Sequence, residues 1–423
     1  HADIAEVLEE LDFEEATYIF KVLDSDKTAE ILLELEDDLR ENILKRLSPK
    51  EIAEELDELE TNDAADIIAE LSQEIKAEVI SELQDVEELQ DVEHAKDIVD
   101  LLRYAEDTAG GIMHKELVKV NENWNVLTCI KEMRIQAENI SRVHSIYVVD
   151  DEDRLKGRLS LKDLLTTSSR TPINDVYIRK LNSVNVDTED VEVARIMQKY
   201  DLEAIPVVDE LGRLVGRITI DDIVDVIKDE ADEDYQLAAG ISQDVEADDS
   251  IIEHTKARLP WLVLALLGGF ISVKVLGLFE GAMTEHGKLF FFTPLIAAMA
   301  GNVGVQSSAI IVQGLANNTL SGSLFNRLIK EVALSLLNGV ILATILFVGS
   351  HYLLDVEIII GIIVTVALVS VIIIASLIGT FIPLLLDKIG IDPALATGPF
   401  ITTSNDICGI LIYFSIAKMI LGF

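Results

Sequence analysis

Cysteine is almost missing from the 423 residues. Cys129 and Cys408 lie far apart, which excludes a disulfide framework and any CxxC metal site and fits a reducing compartment. Positive charge is scarce too, with 34 Lys plus Arg against 75 Asp plus Glu. The net charge of -41 repels phosphate and excludes a nucleic-acid partner. None of the seven histidines begins the H-E-x-x-H of a zinc protease. No G-x-x-x-x-G-K-[ST] phosphate loop occurs either; the nearest piece, Gly281 to Lys288, has the wrong spacing and is followed by Leu289. The chain is therefore not read as an enzyme. No charged, apolar, small-residue run follows His1, so no cleaved secretory signal is expected and the soluble portion is placed in the cytoplasm.

What charge there is, is segregated. From Ala257 onward there are 7 basic and 8 acidic residues, which leaves 27 basic and 67 acidic in residues 1–256. An acidic soluble portion is thus joined to an apolar one. Five apolar runs follow, near 259–279, 290–315, 328–354, 357–386 and 399–421, each long enough to cross ~30 Å of hydrocarbon. Lys256 and Arg258, Arg327 and Lys330, and Lys388 fall on one side of these runs, while the other loops hold only Lys288. By the positive-inside rule the N-terminal portion is cytoplasmic and the C-terminus extracellular.

Polar groups inside such runs are costly and point to function. Asp406 is the only acidic residue of the fifth run, with Thr402, Gly409 and Tyr413 on its helical face. Asn302, Gln306 and Gln313 form a stripe in the second run, and Glu331, Ser335 and Asn338 another in the third. The stripes suit either a polar path or interhelical hydrogen bonds. Carboxylate, amide and hydroxyl oxygens without a Cys pair or His cluster select a hard cation, and a single Asp doubled in a symmetric dimer fits Mg²⁺ better than a dehydrated Ca²⁺ cage.

The soluble part contains a repeat. SIYVVDDEDRLKGRLSLKDLL from Ser145 matches AIPVVDELGRLVGRITIDDIV from Ala204 almost position by position. Each copy reads as a strand, an acidic turn, a second strand beginning at Gly157 or Gly216, and a helix entered through Ser160 or Thr219. With upstream helices over 126–137 and 191–200, each copy becomes a βαββα unit that resembles a cystathionine β-synthase (CBS) domain. In that family the S/T-x-x-D stretch often holds an adenosine ribose, which implies ATP at Thr219 and Asp222; a plain helix cap is the alternative. Residues 1–105 read as short amphipathic helices with recurring AEILLEL, AEELDEL and ADIIAEL, and 231–256 as an acidic helical connector.

The whole is multidomain: an α-helical N-domain (1–105), α/β tandem CBS domains (106–168 and 169–230), a connecting helix (231–256) and a five-helix transmembrane domain (257–423). This order, with DTAGGIM from Asp107, NDAADII from Asn62, PLIAAMAGNVGVQSSAII from Pro294 and DPALATGPFITTSNDICGILIY from Asp392, resembles the MgtE family of prokaryotic magnesium channels. The resemblance implies a multi-pass homodimer in the plasma membrane of a prokaryote, with Mg²⁺ at Asp406 and Asn302 beside the pore. It further implies that Mg²⁺ bridges acidic residues to hold the pore shut: Asp63 and Asp66 of the N-domain, Asp222 and Asp225 of the second CBS unit, and Asp244 and Asp248 of the connecting "plug" helix. Gly398 stands where some members carry asparagine. Two further readings stay open, a CBS-regulated transporter for Mn²⁺ or Co²⁺ and a membrane Mg²⁺ sensor that does not transport.

Overall fold

The recurring pieces AEILLEL, AEELDEL and ADIIAEL place apolar residues three and four apart, and each lies on a helix with that stripe buried, as at Ile31, Leu32, Ile52, Leu56, Ile67 and Ile68. The computed structural model describes every residue except 24, 85–91, 138, 139, 141, 244, 246, 248, 318, 321, 397 and 423. It divides into two units, His1–Lys228 and Asp229–Phe423.

The first unit opens with α1 (Ala2–Glu9), α2 (Phe13–Phe20), α3 (Ser25–Glu34), α4 (Asp37–Leu44), α5 (Pro49–Leu56), α6 (Thr61–Glu70), α7 (Gln73–Gln84) and α8 (Val92–Leu101). Local chemistry sets the starts. Asp12 accepts the Glu14 and Glu15 amides, and Ser48 with Glu51 forms a capping box in front of Pro49.

The repeat folds as two matching units. The first is β1 (Val118–Asn121), α9 (Val126–Gln136), β2 (Ile146–Val149), β3 (Leu155–Leu159) and α10 (Leu161–Thr166). The second is β4 (Val184–Asn185), α11 (Asp190–Tyr200), β5 (Ala204–Val208), β6 (Leu214–Thr219) and α12 (Ile220–Ala239). Each sheet pairs its first two strands parallel and its last two antiparallel, with an irregularity at the same place, Val148/Val149 and Val207/Val208. The acidic turns are also equivalent, since Asp150 Oδ1 accepts from the Glu152 and Arg154 amides and Asp209 Oδ1 from the Leu211 and Arg213 amides. The last strands begin two residues before Gly157 and Gly216 rather than at them.

The expected boundary at 105 does not separate two cores. Leu32, Ile52 and Ile68 belong to one apolar cluster with Val193, Ile205, Ile218 and Ile223, whereas the first CBS unit keeps its own core around Val118, Val126, Cys129 and Ile146.

The expected connecting helix over 231–256 is interrupted. The helix of the second CBS unit continues as α12 to Ala239, and Gly240 at φ 82° then turns the chain. A Ser250/Glu253 capping box opens α13 (Ile251–Gly277), which runs on into the first apolar span. After α14 (Glu280–Glu285) come α15 (Thr293–Ala316), α16 (Leu324–Tyr352), α17 (Ile358–Lys388) and α18 (Pro399–Leu421). Five helices among the described residues are long and apolar enough to cross a membrane, at the five expected places.

In this second unit α17 packs on α15, α16 and α18, and α13 packs on α18. A Cβ at Gly379 would collide with the Gly304 carbonyl, so α15 and α17 meet backbone to backbone. Gly379→Ala should therefore cost about 1–3 kcal/mol by overpacking and lower the thermal midpoint of the detergent-solubilised protein. An unchanged midpoint would show that the two helices can separate freely there.

Candidate cation sites

In the first unit three segments distant in sequence converge. Glu60 precedes the first turn of α6, which carries Thr61, Asn62 and Asp63. Residue 114 is laid along β6, its amide donating to the Arg217 carbonyl (2.7 Å) and the Arg217 amide returning the bond (2.9 Å). Asp222 lies in the first turn of α12. His114 is only 5% exposed and lies between two carboxylates, with Nε2 2.8 Å from Asp222 Oδ2 and Nδ1 2.8 Å from Glu60 Oε2. Burial alone would lower its pKa, but Asp222 and Glu60 outweigh burial and raise it to about 10. Asn62 Nδ2 donates to Asp63 Oδ1 (3.0 Å) and lies 3.5 Å from Asp222 Oδ1. Burial, and then the charges of Asp222, Glu60 and Glu116, push Asp63 up to about 6 despite the opposing field of His114.

Of the acidic residues expected here, Asp63 and Asp222 are brought together. Asp66 and Asp225 lie exposed one turn further along α6 and α12, and Asp244 and Asp248 lie outside the described residues. Thr219, 1% exposed, donates both its amide (2.8 Å) and its hydroxyl (2.7 Å) to Asp222 Oδ2. These two bonds join the pair of residues expected to hold ATP. Glu60, His114 and Glu116 were not expected, and no local pattern links position 114 to position 60 or 222.

The second unit holds the other polar group. Asp406 and Thr402 face Gly301, where a Cβ would lie 3.5 Å from Asp406 Oδ1. Among the described residues no Lys or Arg pairs with Asp406. Asn405, 1% exposed, presses its amide against Gly304, and neither amide atom has a hydrogen-bond partner among the described residues. Asn302, Gln306 and Gln313 form a stripe along α15 that is exposed in the single chain. The third stripe resolves largely into interhelical bonds, Ser307 Oγ donating to Glu331 (2.7 Å) and Ser335 pairing with Ser376, while Asn338 stays exposed.

At the mouth of α18 a Cβ on Gly398 would lie 2.9 Å from the Ala238 carbonyl. The asparagine that the resemblance leads one to expect there would crowd this backbone. Nearby, burial and then the charges of Asp392 and Glu233 raise the pKa of Asp234.

Residues 293–416 match a family model described as a divalent cation transporter, 1–107 that of the MgtE intracellular N domain, and 109–170 and 173–229 that of the CBS domain. The magnesium transporter MgtE of Thermus thermophilus is 38% identical over 324 residues, which is 76% of this chain and 72% of that one. The chain belongs to the MgtE family of magnesium transporters. MgtE of Enterococcus faecalis is 37% identical over 329 residues, 77% of this chain and 72% of its own. Among solved structures, the cytosolic domain of the Mg²⁺ channel MgtE in complex with ATP is 36% identical, covers 52% of this chain and 93% of that one, and has a TM-score of 0.33. The MgtE transporter match includes Asn302 and Asp406, and the N-domain and CBS matches meet a few residues before His114.

The raised pKa of Asp63 sets a pH dependence. The folded state holds this proton more tightly than the unfolded chain, so Asp63 contributes less stability as pH rises from about 4 to about 6, and the cost is complete above that window. In EDTA the thermal midpoint of the wild type should fall between pH 5 and pH 7 more steeply than that of Asp63→Asn, and millimolar Mg²⁺ should restore more of it at pH 7. Parallel pH profiles for the two proteins would remove Asp63 from the buried acidic cluster.

Proposed function

We propose that this chain is a Mg²⁺ channel that works as a homodimer, lets Mg²⁺ flow inward down its electrochemical gradient, and is held shut when Mg²⁺ occupies its acidic N-terminal unit. The observation that carries the reading is Asp406, a carboxylate inside an apolar helix that pairs with no Lys or Arg among the described residues. A carboxylate in hydrocarbon needs a cation, and Asp406 lies against the glycine side of α15 at Gly301. The exposed amide stripe of Asn302, Gln306 and Gln313 supports the dimer, since such a face on a membrane helix calls for a second polar wall or an aqueous path. Two Asp406 carboxylates would then hold an ion that keeps most of its water. The soluble unit would be cytoplasmic and the C-terminus extracellular, as the distribution of Lys and Arg suggests.

In this reading low cytoplasmic Mg²⁺ leaves Asp63, Asp222 and their neighbours uncompensated, the N-domain moves away and the connector releases the pore. Asp234 with Asp392, and the close approach of Ala238 to Gly398, mark where the connector would act. Selectivity for Mg²⁺ over Mn²⁺ or Co²⁺ belongs to the same proposal.

Reconstituted at equal density, Asp406→Ala should reduce Mg²⁺ flux to the level of empty liposomes while the protein remains dimeric. Asp406→Asn should fail as well, because it keeps the size and loses the charge. Flux at the wild-type level in either variant sinks the pore assignment.

ATP enters this reading as a regulatory ligand of the CBS pair. The Thr219 hydroxyl is buried and donates to Asp222, and in this reading it holds the sensor carboxylate. Thr219→Ala should therefore shift the Mg²⁺ concentration that closes the channel and leave ATP uptake, measured by calorimetry on the full chain, within twofold of wild type. A tenfold loss of ATP affinity would return Thr219 and Asp222 to a nucleotide site.

A further inference from the structure

The cluster around His114 contains more than a sensor for hard cations needs. Oxygen ligands suffice for Mg²⁺, yet one ligand atom each from Glu60, His114 and Glu116 lies within 4.8 Å of the other two. A tetrahedral Zn²⁺ site with bonds near 2.0–2.1 Å sets ligand atoms roughly 3.3 Å apart, so small side-chain shifts would bring these three into range.

The surroundings are ordered as a metal site requires. Asp222 accepts from His114 Nε2, the carboxylate-to-imidazole contact that fixes a metal-bound ring and leaves its other nitrogen for the ion. That nitrogen, Nδ1, is buried 2.8 Å from Glu60 Oε2, and an ion bound there would displace the proton it carries between the two carboxylates. Glu116 is oriented in turn by Thr61, whose amide and hydroxyl donate to its two oxygens at 3.0 and 2.9 Å. His94 Nδ1 lies 3.7 Å from Glu116 Oε1, and Arg217, 3.9 Å from Glu60, is the fixed cation that opposes a metal. Four carboxylates, Glu60, Asp63, Glu116 and Asp222, act on this small volume.

From this geometry we infer that Glu60, His114 and Glu116 form a binding site for a borderline transition-metal dication of the Zn²⁺ or Co²⁺ kind. It is chemically distinct from the carboxylate sites proposed for Mg²⁺, because imidazole nitrogen favours such ions over Mg²⁺. Its ligands come from the start of α6 and from the segment laid along β6, so an ion there would tie the N-terminal helices to the second CBS unit. The inference does not rest on transport.

The test is equilibrium binding of Co²⁺ to the metal-stripped, detergent-solubilised full chain at pH 8 with millimolar Mg²⁺ present throughout. The expected result is a saturable visible absorption band that Zn²⁺ displaces and Mg²⁺ does not. Both His114→Asn and Glu60→Gln should weaken Co²⁺ binding at least ~10-fold, and Glu60→Gln, which alters a half-buried side chain without changing its size, covers the case in which the His114 variant fails to fold. Absence of the band in the wild type, or Co²⁺ affinity unchanged in the folded variants, overturns the site. Mg²⁺ flux through the same preparations reads the transport proposal separately.

Discussion

A carboxylate taken out of water needs a cation close by, and both units of this chain depend on that requirement. In the first unit several carboxylates from α6, α12 and the segment between them are drawn together, and burial with mutual repulsion raises the pKa of Asp63 to about 6. The charges of His114 and Arg217 lie among them, fixed parts of the protein that reduce the repulsion without abolishing it. In the second unit Asp406 stands in an apolar helix, and among the described residues no basic residue pairs with it. One cluster is partly neutralised from within and the single carboxylate is not. In the proposed mechanism that difference separates a site that modulates from one that must exchange its ion.

Packing then decides where such groups can sit. Small residues along α15 let its neighbours approach: Gly301 admits Asp406 and Thr402, Gly304 admits Asn405, and the Gly304 carbonyl meets Gly379 of α17. The stripe of small residues that brings helices together also brings polar side chains to the same level, because without a hydrophobic drive between helices close packing and polar contacts hold the bundle. Asn302 and Gln306 point elsewhere on α15 and remain exposed in one chain.

Much of this was legible locally. The repeat predicted two βαββα units because period and turn chemistry agree, and Asp150 and Asp209 do build the turns. The five apolar runs predicted five helices because length and composition suffice. The connector was misread because its apolar residues outweighed Gly240, whose left-handed conformation ends α12, and because the capping box at Ser250 assigns 251–256 to the next helix. The role of His114 was beyond local reading. It depends on partners 54 residues before it and 108 after it, joined only once residue 114 pairs with Arg217 on β6. Thr219 shows the same limit, for the motif S/T-x-x-D is shared by a ribose site and a helix cap, and its bond to Asp222 is seen only in the fold.

One helix carries both ends of the proposed control. α12 begins at the turn bearing Asp222 and ends where Ala238 approaches Gly398 at the start of α18. Ions can bias such an element only by binding one of its states more tightly, and moving an equilibrium from 1:99 to 99:1 takes about 5.5 kcal/mol of differential affinity. One ion that binds a single state supplies only about 2.7 kcal/mol at a hundredfold ratio of its concentration to its Kd, so more than one ion is needed at that ratio. In the proposed control the acidic surface therefore acts as several weak sites on one helix rather than as one strong site. A device of that kind responds over a narrow range of ion concentration while each of its ions remains free to leave.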